Sequence, residues 1–294
     1  MDFWGHCSAI GRGINSARRS RESGNLNGLL LDPGLRQGDG VHRYSLATVH
    51  RCCHNTDMTS PNPTTVYDLG TVEYQRAWDI QRDLVQQRIE GSIGDTLLLL
   101  EHPHVYTLGR RGSMDDVLMS ADGLGSVGVA VHEVDRGGEV TYHGPGQLVG
   151  YPILNLREIG GPVRYVRGLE SALIDALATF GIDARTVEGL PGVWLGDGPD
   201  QRKIAAIGVR VSRGVSSHGF ALNVSTDLSY FEHIVACGIP GLNVTSMEQE
   251  LGQGVDAGIV RQAVVAALET RLGLATRWAD KMEAQNLLRQ VSVP

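Results

Sequence analysis

Lys203 and Cys237 are the residues of this sequence whose types and setting could do chemistry together. A thiol is a good nucleophile only as its thiolate. A nearby ammonium favours that thiolate and, once it has given up its proton in a desolvated setting, can act as a general base. Those are the two parts that exchange of a thioester requires. Among 26 Lys plus Arg residues only Lys203 and Lys281 are lysines, so positions that merely want positive charge have been given to arginine. Of the four cysteines, Cys7, Cys52 and Cys53 fall in the first fifth of the chain, and Cys237 stands alone before Gly238, in a turn and off any periodic apolar face. The competing reading of Cys237 is a buried small hydrophobe, the usual fate of a free cysteine.

The densest segment runs Arg136-Gly137-Gly138-Glu139-Val140-Thr141-Tyr142-His143-Gly144-Pro145-Gly146-Gln147. Two glycine pairs bracket a short strand, which lets backbone amides approach a ligand, while Arg136 and His143 bring polar groups to the same rim. A plain hairpin whose turns need glycine explains the same pattern. A dinucleotide fingerprint is disfavoured, because strand-like Gln147 to Leu156 follows where that motif needs a helix. The third stretch is His218-Gly219-Phe220-Ala221, where a lone strand histidine reads as structural. His102, His104 and Asp135 lack the local spacing of a metal set, and no metal is expected.

The elements that must position these residues follow from periodicity. Tyr74, Ala77, Trp78, Leu84, Val85 and Ile89 predict a helix over 72–90 ended by Gly91. Strands are expected at Thr96 to Glu101, Val127 to Val134 and Gln147 to Leu156. A helix marked by Val166, Leu169, Leu173, Leu177 and Phe180 ends before Gly181. Lys203 to Val211 and Val215 to Val224 pair as a hairpin through Arg213-Gly214. A short helix is expected at Leu228 to Val235, a second capped by Thr245 with Glu248, and a long one over 256–272 with Ile259, Ala263, Val264, Ala267 and Leu268 facing inward. Strands adjoining strands, with helices interspersed, predict an α+β fold with a mixed sheet and flanking helices.

With 41% hydrophobic residues, 20% charged and a net charge of −7, the composition is that of a globular protein without the clustered basic footprint of a nucleic-acid binder. No apolar stretch reaches bilayer length, so no membrane partner and a cytoplasmic location are expected. Residues 1–62 lack an apolar period and read as a disordered N-terminal extension; a transit peptide or a start at Met58 are the other accounts. The catalytic domain is expected over 63–278, with a C-terminal tail over 279–294.

Arg136-Gly137-Gly138 through Gln147, Gly192-Val193-Trp194, Lys203 through Gly208, His218 through Asn223 and Cys237-Gly238-Ile239 occur in the order that marks the lipoyl(octanoyl) transferase family, which the chain resembles over about 66 to 275. The resemblance implies a lipoate and biotin ligase-like fold. It implies an acyltransferase that takes octanoyl from acyl carrier protein onto Cys237, with Lys203 as activator, and delivers it to a lysine of the lipoyl domains of 2-oxo acid dehydrogenases or of the glycine-cleavage carrier protein, with no cofactor. It further implies that Arg136, Gly137, Gly138, Glu139, Val140, Thr141, Tyr142 and His143, with Ala206, Ile207 and Gly208 and with Gly219, Phe220 and Ala221, line the octanoyl pocket. Ala236 stands where the family usually has proline. Gly138 and Gly208 are the expected amide donors to the reaction's oxyanion. Arg202, Arg210 and Arg213 are the expected docking surface for acidic protein substrates. An ATP-dependent lipoate or biotin ligase and a non-catalytic carrier-domain binder are the rival readings.

Overall fold

A computed structural model of the chain describes residues 63–290; the expected extension and Cys7, Cys52, Cys53 and Met58 lie outside the described residues. In chain order the elements are strand β1 (Thr64–Thr71), helix α1 (Tyr74–Glu90), β2 (Thr96–Glu101), β3 (Val105–Leu108), α2 (Ala121–Ser126), β4 (Ala130–Glu133), β5 (Val140–His143) and β6 (Gln147–Ile153). There follow α3 (Leu156–Ile159), α4 (Pro162–Ala178), β7 (Arg185–Val187), β8 (Leu190–Leu195), β9 (Arg202–Ser212) and β10 (Val215–Asn223). The last are α5 (Met247–Leu251), α6 (Ala257–Leu272), β11 (Thr276–Trp278) and α7 (Lys281–Gln290).

Eight strands form one sheet in the order β11-β1-β2-β6-β10-β9-β8-β7, and three form a second in the order β4-β3-β5. The first is mixed: β1 runs parallel to β11 and β2, while β6, β10, β9, β8 and β7 pair antiparallel. The expected α+β mixed sheet with flanking helices is therefore what the chain forms.

Both faces of the large sheet are covered, which is why β2 reads Leu97-Leu98-Leu99-Leu100 without polar alternation. Leu97 and Leu99 pack towards α4 and α6, with Tyr165, Leu169, Leu173, Val264 and Leu268. Leu98 and Leu100 pack towards α1 and α7, with Ala77, Ile80, Leu84 and Leu287. All four leucines are at most 1% exposed, and each contributes about 1.5–3 kcal/mol on burial. The small sheet has its own core of Tyr106, Leu108, Val140 and Tyr142, roofed by Ile234 and Ala236.

The β9–β10 hairpin closes through Arg213 and Gly214, both at positive φ (51° and 90°), as a two-residue turn matched to strand twist requires. Between β6 and β10 the backbones approach closely. A Cβ on Gly150 would lie 2.2 Å from the ring of Phe220, its cross-strand partner.

Four details depart from expectation. Ile259 is 56% exposed; the inward stripe of α6 runs through Val260, Val264, Ala267 and Leu268, one residue out of phase with it. The cap of α5 is Ser246, whose hydroxyl accepts the Gln249 N–H (3.2 Å), while Thr245 donates to Glu250 (2.5 Å). Residues 127–134 hold only the four-residue β4, since the preceding stretch is spent on α2 and a turn. Within the expected tail, α7 buries Leu287 against the α1 side of the sheet.

Candidate active site

β8 and β9 pair so that Lys203 sits opposite Trp194. The Lys203 backbone is locked on its other side by the 243–245 segment, donating to Asn243 O (2.9 Å) and accepting from Thr245 N (2.9 Å). The side chain is buried, and its Nζ lies 3.2 Å from the Sγ of Cys237. No carboxylate comes within 4.0 Å of that nitrogen among the described residues.

Cys237 sits in the short turn Ala236–Gly238, half-buried, in the left-handed region with φ 56° and ψ 22°. A non-glycine residue there is uncommon and is kept only where the surroundings over-determine it. The surroundings do so. Val235 N donates to Asp116 O and Leu118 N to His233 O, clamping the approach to the thiol onto residues 116–118. The ring of Tyr230 stacks on Tyr142 (centroids 4.9 Å apart) and on His104 (4.3 Å), and Tyr106 donates to the Tyr230 carbonyl (2.7 Å). The segment bearing the thiol is thus pinned to the small sheet and the lysine to the large one.

A narrow cleft lies between them. Its walls include Lys203, Cys237, Ala206, Ala221, Phe231, Leu242 and Val244, with Thr141, Gln147 and Asn223 as the polar part. The polar wall is internally satisfied: His143 Nδ1 donates to Gln147 (2.7 Å), Gln147 Nε2 to Asn223 (2.9 Å), and Asn223 Nδ2 to Thr245 O (2.9 Å). With those amides committed, the side-chain donor to the sulfur among the described residues is the Lys203 Nζ. The arrangement sets a thiol beside an amine at the edge of an apolar wall that includes Ala206 and Ala221.

Further from the cleft is a buried set of imidazoles. His102 Nδ1 donates to Val72 O (2.6 Å) and its Nε2 accepts from Tyr151 (2.7 Å). Burial pushes His102 down to about 4 and His143 well below its usual range. His218, at φ 53°, donates from Nε2 to Asp135 (2.8 Å) while its Nδ1 has no partner among the described residues. Burial, with Arg136 and Arg210 nearby, pushes His218 down to about 3. Among the described residues His, Cys, Asp and Glu side chains form no cluster suited to a metal ion.

Residues 73–269 match the lipoyl protein ligase A/B catalytic domain. The chain belongs to that family. An octanoyltransferase of Rhodococcus opacus is 50% identical over 219 residues, 72% of this chain and 82% of that protein. One of Chloroflexus aurantiacus is 51% identical over 215 residues, 72% of this chain and 96% of that protein. Among solved structures, a lipoate-protein ligase A bound with ATP matches with a TM-score of 0.62 at 17% identity, over 78% of this chain and 93% of that one, a likeness of fold.

In this member of the family the cleft beside Cys237 takes Thr141, Ala206 and Ala221 from the residues expected to line it. Arg136 lies over Gly208, its guanidinium donating to Thr107 O (2.6 Å) and Gly137 O (3.0 Å). Glu139 is bonded to Arg111 (2.8 Å), and a Cβ on Gly238 would touch it at 3.0 Å. Val140 and Tyr142 belong to the core of the small sheet, and Phe220 to that of the large one. Gly219 abuts the Gly150 carbonyl, and His143 reaches the cleft only through Gln147. Gly137, Gly138, Gly208 and Ile207 are not among the residues that line the cleft.

Two of the three arginines expected at the docking surface are paired with carboxylates. Arg202 is paired with Glu250 (2.6 Å) and Arg210 with Asp135. Arg213 is at the far end of an 11-residue strand, roughly 30 Å from Lys203. Arg111 is bonded to Glu139, which abuts Gly238, and its exposed neighbour Arg110 donates its backbone N–H to Arg136 O (3.0 Å). Gln147, Asn223, Phe231, Leu242 and Val244 were missed as cleft residues. Of these, Gln147 carried a signal, being the polar first residue of the otherwise largely apolar β6.

Proposed function

We propose that this chain is an acyltransferase of protein lipoylation that carries octanoyl as a thioester on Cys237 and passes it to a lysine of a partner protein. The observation that carries the reading is the 3.2 Å contact of the Lys203 Nζ with the Cys237 Sγ at the wall of a largely apolar cleft. The octanoyl group comes from the two relatives of about half identity, which are named for it.

The thiolate attacks the carbonyl carbon of an octanoyl thioester presented by acyl carrier protein. The bond to the carrier's sulfur breaks, and that sulfur leaves with a proton from Lys203. The lysine of a lipoyl domain or glycine-cleavage carrier then attacks the Cys237 thioester, gives a proton to the Lys203 amine, and expels the thiolate, which restores the pair. A tetrahedral oxyanion forms in each half, and Lys203, as ammonium in the first, can donate to it.

Incubation with octanoyl carrier protein, followed by intact mass and hydroxylamine treatment, tests this. Cys237→Ala abolishes the adduct, whereas Cys7→Ala, Cys52→Ala and Cys53→Ala leave it unchanged. Lys203→Ala acylates about a hundred- to ten-thousand-fold more slowly, recovering in part as the pH approaches about 8.5, where a free thiol ionises. A nearly normal Cys237→Ala enzyme whose activity requires ATP would overturn the thioester mechanism in favour of a ligase.

A further inference from the structure

The Lys203 ammonium has an electrostatic partner that the transfer chemistry does not use. Its Nζ lies 4.5 Å from the centroid of the Trp194 ring, within cation–π range. Trp194 is 1% exposed, and its indole N–H donates to Leu190 O (3.1 Å), which fixes the ring plane. The local backbone is shaped to bring the two together. β8 carries an irregularity between Val193 and Trp194, and that shift sets the indole opposite Lys203. Gly192, at φ 122°, admits the lysine stem: a Cβ there would sit 2.5 Å from Ala205 O and 3.4 Å from Lys203 Cε.

We propose that Trp194 is the positioning residue of the nucleophile: its ring face holds Lys203 as an ammonium against the Cys237 sulfur. A buried lysine and a thiol can rest as neutral amine and thiol, or as ammonium and thiolate after the proton moves from sulfur to nitrogen. The second is the reactive form, and a partner that attracts the ammonium favours it. Among the described residues the hydrogen-bond partner of the nitrogen is the Cys237 Sγ, and Arg136, a cation close enough to act on Cys237, favours thiolate but repels ammonium. Glu139 is held by Arg111, and Glu250 by Arg202 and Thr245. The electron-rich face of an indole attracts an ammonium and is indifferent to an amine, so Trp194 biases the pair towards the reactive form while fixing the lysine's direction.

The experiment uses the full chain and follows Cys237 alkylation by iodoacetamide, read by peptide mass spectrometry from pH 6 to 9. Trp194→Leu alkylates roughly tenfold more slowly than wild type at pH 7, with the deficit closing towards pH 9. Trp194→Phe, which keeps a weaker ring face, falls between. In a Lys203→Ala background, Trp194→Leu has no additional effect. Biosynthetic replacement of tryptophan by fluorinated analogues, which drains the ring face while keeping its shape, covers the case in which Trp194→Leu fails to fold. The rate at pH 7 then falls stepwise with fluorination. A folded Trp194→Leu chain with the wild-type pH profile, a tenfold loss that persists without Lys203, or a rate insensitive to fluorination would each overturn the proposal. The inference rests on the thioester reading only for its consequence in transfer. Because alkylation needs no acyl donor, a chain that alkylates as described but forms no octanoyl adduct would refute transfer and leave the role of Trp194 standing.

Discussion

Mild acid should unfold this protein before its carboxylates titrate. His102, His143 and His218 are each at most 6% exposed. Burial holds all three below the usual imidazole range, His102 at about 4 and His218 at about 3. His218 lies 2.8 Å from Asp135, but that carboxylate is shared with Arg210, and Arg136 opposes a further positive charge. The unfolded chain takes up protons on these residues near pH 6.5, and the folded chain does so only far lower. Stability is therefore complete above about pH 6.5 and is lost as the pH falls through the window down to about 4. Each imidazole that titrates only in the unfolded state costs about 1.36 kcal/mol per pH unit, so three cost about 4 kcal/mol per unit. At pH 5 the loss is about 6 kcal/mol, a large share of the 5–15 kcal/mol that holds an ordinary domain together. Glu170, raised by burial, works in the opposite direction near the carboxylate range, and it is one group against three. Urea titrations followed by tryptophan fluorescence at half-unit steps from pH 7.5 to 5 give the slope directly. Replacing His102 with asparagine should reduce that slope by about one proton's worth, whatever it does to absolute stability. Stability that stays level from pH 7 to 5 and falls only below 4.5 would refute the reasoning and place the acid sensitivity in the carboxylates.

Ala236→Pro should raise stability by about 0.4–1 kcal/mol with transfer rate unchanged, because Ala236 opens the nucleophile's turn and Val235 before it is already non-helical; a thermal melt checks it. Gly150→Ala should destabilise by about 1–3 kcal/mol or more, since its Cβ would lie 2.2 Å from the Phe220 ring inside the core. Denaturant midpoints read that loss. Reversing the exposed charge in Arg110→Glu should slow acylation by an acidic carrier more at low salt than at high, as steering through a local basic rim requires; equal slowing at both would point to a folding defect.

How much of this was legible depended on whether a residue's role is written locally. Helix α1 and its Gly91 stop, the Arg213-Gly214 hairpin and the α+β mixture all follow from spacings within one segment, and all are present. Lys203 and Cys237 could be singled out because two lysines in a chain of arginines, and one cysteine before a glycine in a turn, are unusual wherever the chain folds them. The pocket was less legible. Thr141 and Tyr142 are neighbours in β5, yet alternation sends Thr141 to the cleft and Tyr142 under Tyr230, a stack between residues far apart in sequence that no local period announces. The same holds for α7, a mostly polar helix whose burial rests on Leu287 and its partly buried neighbours Ala284 and Leu288.

Trp194 shows where the division falls. A tryptophan in β8 reads from sequence as core filling, and 1% exposure agrees. Its place beneath an ammonium depends on a register irregularity in β8 and a left-handed glycine two residues earlier, neither of which has a residue-type signature as strong as a nucleophile's. Groups that react must be of a few chemical types, so type alone narrows the search. Groups that position them need only shape and proximity, which are fixed by the register of neighbouring strands. A site of this kind is therefore recognised from its nucleophile outward, and its pairing partners in the sheet are the residues to test next.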